Sequence, residues 1–264
     1  MVTRARLDAE LVRRGLARSR RQAAELIDQG RVAVRGVTAG KSATVVDRDT
    51  PVTIQVTDEP QWASRGAHKL IGALDAFTVP VSGARCLDAG ASTGGFTDVL
   101  LTRGAVEVIA VDVGYGQLDW RLRSDARVRV HDRTNVRSLT QEEIGCLVDL
   151  VVADLSFISL RTVLPALVAC TVDGGALVPM VKPQFEVGRE CLGSGGVVRD
   201  PELRLAALTE VAGAARALGL VLRGAVASPL PGPAGNVEFF LWLTRHGADM
   251  GDAALAVAVE EGPR

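Results

Sequence analysis

The sequence predicts an α/β protein with a small α+β module at its front, and three observations carry that prediction. From residue 84 onward, short apolar runs alternate with helical patterns, as in βαβ units that build a mostly parallel sheet. The chain is 47% hydrophobic but only 4% aromatic, which suits aliphatic strands buried on both faces. The formal net charge is only −1, yet basic residues crowd into residues 1–41, where the arginines far outnumber Asp8, Glu10, Glu25 and Asp28. A chain of 264 residues suits one domain of about 200 residues plus an appendage. The expected divisions are a module at 1–58, a linker at 59–63 opened by the strand-breaking Pro60, a larger domain at 64–246 and a tail at 247–264.

In the front module, Leu7 and Leu11 stand at helical spacing. Ser19 with Gln22 three residues later forms a capping box that opens a second helix, which ends at Gly30. The pattern then changes to period two at residues 31–34, turns at Arg35-Gly36 and alternates again over 51–56. Arg outnumbers Lys here, as expected where a planar fork is to grip phosphates. Arg4, Arg6, Arg14, Arg18, Arg20 and Arg21 are the candidate contacts. A charge run is often only a solvated helix face, so charge by itself leaves that alternative open.

The run RLDAELVRRGLARSRRQAAELIDQGRVAVRG resembles the ribosomal-protein-S-four-type (alpha-L) RNA-binding domain. The resemblance implies that a helix pair centred on Arg18, Arg20 and Arg21 binds structured RNA through phosphates and shape. Contact of that kind supplies affinity with little sequence choice.

The larger domain opens with the apolar run 84–87 ending at Asp88, the loop Ala89-Gly90-Ala91-Ser92-Thr93-Gly94-Gly95 and a helix beginning near Phe96. A second strand over 106–111 ends at Asp112, and a third over 128–131 ends at Asp132. A glycine-rich loop after strand one with an acid after strand two forms a cradle for an adenosine cofactor. The spacing departs from the dinucleotide fingerprint G-x-G-x-x-G. An acid beside a glycine bend suits the ammonium of S-adenosylmethionine better than it suits a pyrophosphate. Asp88, Gly90, Ser92, Gly94, Asp112, Asp132 and Asp154 are therefore the candidate cofactor residues. Glycine clusters also serve merely to turn a chain tightly, the reading that competes with this one. DAGASTGGF resembles motif I of class I methyltransferases, which implies a Rossmann-like, mostly parallel seven-stranded sheet.

Further along, a strand over 150–153 ends at Asp154 and another over 176–181 ends at Lys182-Pro183. A last strand over 237–243 carries Glu238 at its start, after PLPGPAGN. With Lys69 in SRGAHKL, the set Lys69, Asp154, Lys182 and Glu238 resembles the K-D-K-E tetrad of FtsJ-type 2′-O-ribose methyltransferases. SRGAHKL, DAGASTGGFTD, DLSFISL, KPQFEVG and GNVEFF extend the resemblance over nearly the whole chain, to the two-domain rRNA cytidine 2′-O-methyltransferases also called haemolysins. That family implies 16S and 23S rRNA in both ribosomal subunits as partners, and susceptibility to capreomycin and viomycin as a readout. It also implies a Lys182 that acts as base or alkoxide stabiliser, its pKa depressed by burial and by a second cation, with Lys69 and Glu238 steering it and Asp154 holding it.

Other classes fare worse. The four cysteines, Cys86, Cys146, Cys170 and Cys191, form no C-x-x-C pair, and His68, His131 and His246 have no metal spacing, so no metal is expected. The N-terminal run has no apolar signal region and no stretch is long and apolar enough to span a bilayer, so a cytoplasmic monomer without a DNA or membrane partner is expected. The short acidic segment 252–261 argues against a membrane-active haemolysin, and the complete tetrad argues against an inactive methyltransferase fold. Base methylation would call for a rim cysteine or an Asn/Asp-Pro-Pro-aromatic loop, where this chain has DLSF.

Overall fold

The computed structural model describes residues 4–263 except 18, 29, 56–61, 189–190 and 233, and also leaves the side chains of 21, 25 and 28 undescribed. Arg18, the side chain of Arg21 and most of the expected linker thus lie outside the described residues. The chain divides into two compact units, Met1–Gln61 and Trp62–Arg264.

In the first unit, β1 (Arg4–Arg6) leads directly into α1 (Leu7–Arg13), and α2 (Arg20–Asp28) follows. Leu7, Leu11, Ala23 and Ile27 are buried together, so the helical spacing of the apolar residues is what closes this small core. The Ser19 hydroxyl accepts the Gln22 amide at 3.2 Å, and Gly30 ends the helix with φ +68°. β2 (Val32–Val34) turns through Arg35 and Gly36, both with positive φ, into β3 (Val37–Thr38). Such a two-residue turn matches the twist of a hairpin. β4 (Val45–Asp47) pairs antiparallel with β1, a pairing that three-residue strands give no periodicity to announce. β5 (Val52–Ile54) pairs antiparallel with β2.

The second unit starts with α3 (Gly66–Phe77), whose inner face buries Leu70, Ala73 and Leu74. Then come β6 (Arg85–Ala89), α4 (Gly95–Thr102), β7 (Glu107–Val111), α5 (Trp120–Arg123), β8 (Val128–His131), α6 (Gln141–Ile144), β9 (Val148–Ala153), α7 (Leu160–Ala169) and β10 (Thr171–Val181). The unit closes with α8 (Pro183–Glu186), α9 (Pro201–Ala217), β11 (Val221–Ala227), β12 (Phe239–Thr244) and α10 (Gly251–Glu261). The sheet order is β11-β12-β10-β9-β6-β7-β8, and β12 runs antiparallel to both of its neighbours. The expected mostly parallel seven-stranded sheet is present. β11 is the strand that sequence patterning passed over: Arg223 and Gly224 interrupt its apolar run, and Gly224 is needed because Phe77 packs where a Cβ would lie, 3.0 Å away.

Within 247–264, expected as a tail, α10 buries Leu255 and Ala258 in the same core as Leu222, Phe239 and Leu241. Burying Leu255 stabilises by about 1.5–3 kcal/mol, which holds in place a short alanine-rich helix that would be marginal by itself in water.

Register is what creates the site. Ala89 pairs with Val111 on one side and Ala153 on the other, and Val111 pairs with His131. The next residue along each strand is Gly90, Asp112, Asp154 and Asp132, so three acids and the glycine bend leave the sheet at one level. On the far side Val181 pairs with Phe239, which brings Lys182 and Glu238 to the same end of the sheet from opposite chain directions.

Candidate active site

Lys182 lies just beyond the buried β10, and Pro183 at the first position of α8 stops the strand there. Its side chain is 8% exposed, its Nζ sits 2.6 Å from Asp154 Oδ1, and it donates to Ser156 Oγ at 2.9 Å. Lys69, on the inner side of α3, meets Glu238 with Nζ 2.5 Å from Oε2, and the Glu238 carboxylate is almost wholly buried. The other oxygen of Glu238, Oε1, is buried with no hydrogen-bond partner among the described residues. Each of the two lysines therefore has its own carboxylate. A buried ammonium is tolerated when its charge is locally compensated, and the two ion pairs do that here.

Asp112 joins two loops. One of its oxygens accepts the Ser92 amide at 2.8 Å and the other accepts the Gly114 amide at 2.7 Å, while the residue stays partly exposed. Asp132 pairs with Arg123 and accepts the Gly116 amide at 3.3 Å. Ser92 holds φ +47° at the bend and is exposed.

Asp88 differs from the expectation drawn from sequence. It is fully buried, its Oδ2 accepts the Thr97 hydroxyl at 2.7 Å, and burial pushes its carboxyl up to about 7. It stands behind the glycine bend instead of on the open rim, because strand alternation turns its side chain into the layer beneath. Its Oδ1 is buried and has no partner. The two glycines are demanded by the chain itself: a Cβ at Gly90 would lie 2.5 Å from the Asp154 carbonyl oxygen, and one at Gly94 would lie 2.3 Å from a Leu122 methyl. Both also hold positive φ. The turn itself thus requires glycine at both positions, whatever the loop also holds. What fits an adenosine-bearing, cationic cofactor is the set of acids: two partly exposed carboxylates at successive strand ends and one buried carboxylate oxygen without a partner behind the loop.

Three neighbours escaped sequence reasoning, although the runs DLSF and KPQFE contain them. Ser156 holds Lys182 as described. Phe157 is 92% exposed with φ +64° and packs on Phe185 at 5.2 Å between ring centres. Glu186, raised in pKa by burial, accepts the Ser159 hydroxyl at 2.5 Å and the Leu160 amide at 2.7 Å, which ties α8 to the start of α7. Their signal was adjacency to a strand end; each of the three residue types is otherwise common in loops. The cysteine that lies nearest the loop in sequence, Cys86, is wholly buried and burial pushes its thiol up to about 12, so it offers no nucleophile.

In the first unit the arginines take different roles. Arg6 and Arg20 share Asp8, at 3.1 and 2.9 Å, and both remain largely exposed. Arg4 is exposed beside Asp47. Arg14, expected among the RNA contacts, instead turns inward with its side chain 19% exposed, bonding Glu10 and the carbonyls of Asp47, Arg48 and Thr50. Five guanidinium donors make arginine able to close several loop carbonyls at once, and that is its use here.

These geometries belong to a Rossmann-like methyltransferase, and the chain belongs to the FtsJ-like methyltransferase family, which matches residues 62–245, with an S4 domain matching residues 5–52. It is 60% identical over 268 aligned residues, covering 100% of both chains, to the Mycobacterium tuberculosis protein named 16S/23S rRNA (cytidine-2′-O)-methyltransferase TlyA. It is also 35% identical to the protein named Hemolysin A of Brachyspira hyodysenteriae, over 89% of this chain and 97% of that one. A solved structure described as a candidate hemolysin from Streptococcus thermophilus superposes with a TM-score of 0.78 at 36% identity, covering 99% of this chain and 96% of that one. Among the described residues, no helix is long and apolar enough to cross a membrane.

Proposed function

We propose that this methyltransferase acts on the ribose 2′-hydroxyl of cytidine in 16S and 23S rRNA, on ribosomal subunits, as a cytoplasmic monomer that takes its methyl group from S-adenosylmethionine. The observation that carries the reading is the Lys182–Asp154 pair, 2.6 Å apart, at the strand ends that also carry Asp112 and Asp132. Full-length similarity at 60% identity to a relative named for this activity supports it. Loss of the modification would then lower susceptibility to capreomycin and viomycin.

S-adenosylmethionine, when bound, supplies a methyl group already activated by its sulfonium. Asp112 and Asp132 suit its ribose and adenine sides, and the loop of Gly90, Ser92 and Gly94, backed by Asp88, suits its amino-acid end. The chain's own work is alignment and charge control. Asp154 orients the Lys182 ammonium, Lys182 stabilises the 2′-oxygen as it loses its proton, and the Lys69–Glu238 pair fixes the polar floor beside them. Phe157, exposed next to this centre, suits stacking against a nucleobase. Arg4, Arg6 and Arg20 supply phosphate contacts, with Arg18 and Arg21 as further candidates.

The test combines purified protein, labelled S-adenosylmethionine and unmodified ribosomal subunits, with nuclease digestion of the product. Label on a ribose 2′-oxygen of cytidine is expected. Label on a base, or undiminished labelling by Lys182→Ala, overturns the reading.

A further inference from the structure

We propose that Ser156 is a positioning and proton-exit residue for Lys182, a role that rests on the 2′-O-methyl transfer proposed above. An ammonium has three N–H donors. In Lys182 the ammonium is ion-paired with Asp154 Oδ1 at 2.6 Å and donates a hydrogen bond to Ser156 Oγ at 2.9 Å, which leaves donor capacity for a substrate hydroxyl. The directional bond to Ser156 holds the nitrogen in place, which an ion pair by itself does less well.

The two partners differ chemically. An ionised Asp154 only accepts, whereas the Ser156 hydroxyl both accepts and donates. Ser156 is exposed while the Lys182 side chain is almost sealed, so its hydroxyl joins the buried nitrogen to water and, unlike the partly exposed Asp154 carboxylate, can hand a proton on. Helix capping does not account for Ser156. Ser159 takes that part, accepting the Arg161 amide at 3.2 Å at the start of α7. The next residue, Phe157, is held in the left-handed region at φ +64°, a conformation that costs a bulky residue free energy and persists where its surroundings enforce it. That turn sets Ser156 toward Lys182.

The proton bookkeeping then closes. Lys182 passes one proton to Ser156 Oγ, and the hydroxyl's own proton goes to water. Rotation about the Cε–Nζ bond turns the lone pair so freed to the 2′-hydroxyl, whose proton it takes. The 2′-oxygen forms its bond to the methyl carbon as the carbon–sulfur bond breaks, with that electron pair remaining on sulfur. The net products are a 2′-O-methyl ribose, a neutral thioether and a proton in solvent.

The experiment compares the full chain with Ser156→Ala, Ser156→Thr and Lys182→Ala in single-turnover methyl transfer to unmodified subunits, across neutral to alkaline pH and in heavy water. Ser156→Ala is expected to slow transfer roughly tenfold, less than loss of a general acid–base group. Its rate should become more sensitive to pH and to deuterium, with cofactor and RNA affinities unchanged. Ser156→Thr, which keeps the hydroxyl, should recover most of the rate. A Ser156→Ala rate and pH profile like those of the unaltered chain overturns the proposal, and so does a Thr variant as slow as the Ala variant. An unaltered chain that leaves no methyl on a 2′-oxygen, or is matched by Lys182→Ala, overturns the function itself.

Discussion

Lys69 and Glu238, separated by 169 positions in the chain, meet at 2.5 Å with the carboxylate almost wholly out of water. The pair joins α3, near the start of the second unit, to the residue that precedes β12. Breaking one side of such a pair leaves a charge buried without its counterpart, which typically destabilises by about 3–5 kcal/mol, whereas replacing both partners with apolar groups is nearly neutral. Lys69→Met should therefore lower the urea midpoint of the second unit markedly. The double variant Lys69→Met/Glu238→Leu should recover much of that loss. Equal midpoints for the single and double variants would show that the pair carries no such coupling.

Lys182→Ala should reduce methyl transfer by about 10²–10⁴-fold while cofactor affinity holds, because the group is proposed to act only on the nucleophile. Asp112→Ala should do the reverse at low cofactor concentration, weakening binding as measured by equilibrium dialysis. The same variant also removes the acceptor of the Ser92 and Gly114 amides, so its thermal midpoint should be recorded alongside.

Two arginines that look alike in sequence should separate cleanly. Arg20→Ala should weaken RNA binding and lower the salt dependence by about one phosphate contact. Arg14→Ala should instead destabilise the first unit, because the carbonyls of Asp47, Arg48 and Thr50 lose the guanidinium that donates to them, and its salt dependence should stay near that of the unaltered chain. Filter binding over a salt series, with circular dichroism as the stability check, distinguishes the two.

Asp8 and Glu10 in the first unit and Asp88 in the second should respond to acid in opposite directions and over different windows. Asp8 and Glu10 are held at about 2, chiefly by hydrogen bonds from Arg6 and Arg13 respectively. A depressed carboxyl contributes stability that is present above its unfolded pKa near 4 and is lost as pH falls toward 2, so the first unit should weaken over that window. Asp88 is raised to about 7 by burial. The folded second unit then binds a proton at Asp88 that the unfolded chain has already released, so the Asp88 contribution to stability declines as pH rises from about 4 to 7. Asp88→Asn should flatten that decline, because the amide oxygen still accepts from Thr97 and no charge is buried. Thermal melts across this range check it, and an unchanged slope in the variant contradicts the assignment.

Much of the site was legible because its carriers are local. An apolar strand ending in an acid is visible at Asp112, Asp132 and Asp154, and Lys182 stands out between a buried strand and a proline. Ser156, Phe157 and Glu186 were not legible. Their importance comes from the neighbour each one touches, and a serine, a phenylalanine or a glutamate in a loop carries no mark of that neighbour. β11 was missed for a related reason: Gly224 breaks its pattern to admit Phe77, which belongs to a helix far earlier in the chain.

By itself the sequence determined a small front unit ahead of a larger one, the alternation of strands and helices from residue 84 through β10, and which charged residues stand at strand ends, since hydrophobic periodicity and turn residues act over a few positions. Only the tertiary structure decided how those charges are used. It paired Lys182 with Asp154 and Lys69 with Glu238, sealed Asp88 behind its loop, and turned Arg14 inward while leaving Arg6 and Arg20 exposed. The reason is that the free energy of a charge depends on its burial and on its partner. Both are set when distant elements pack, and neither is written at the residue's own position.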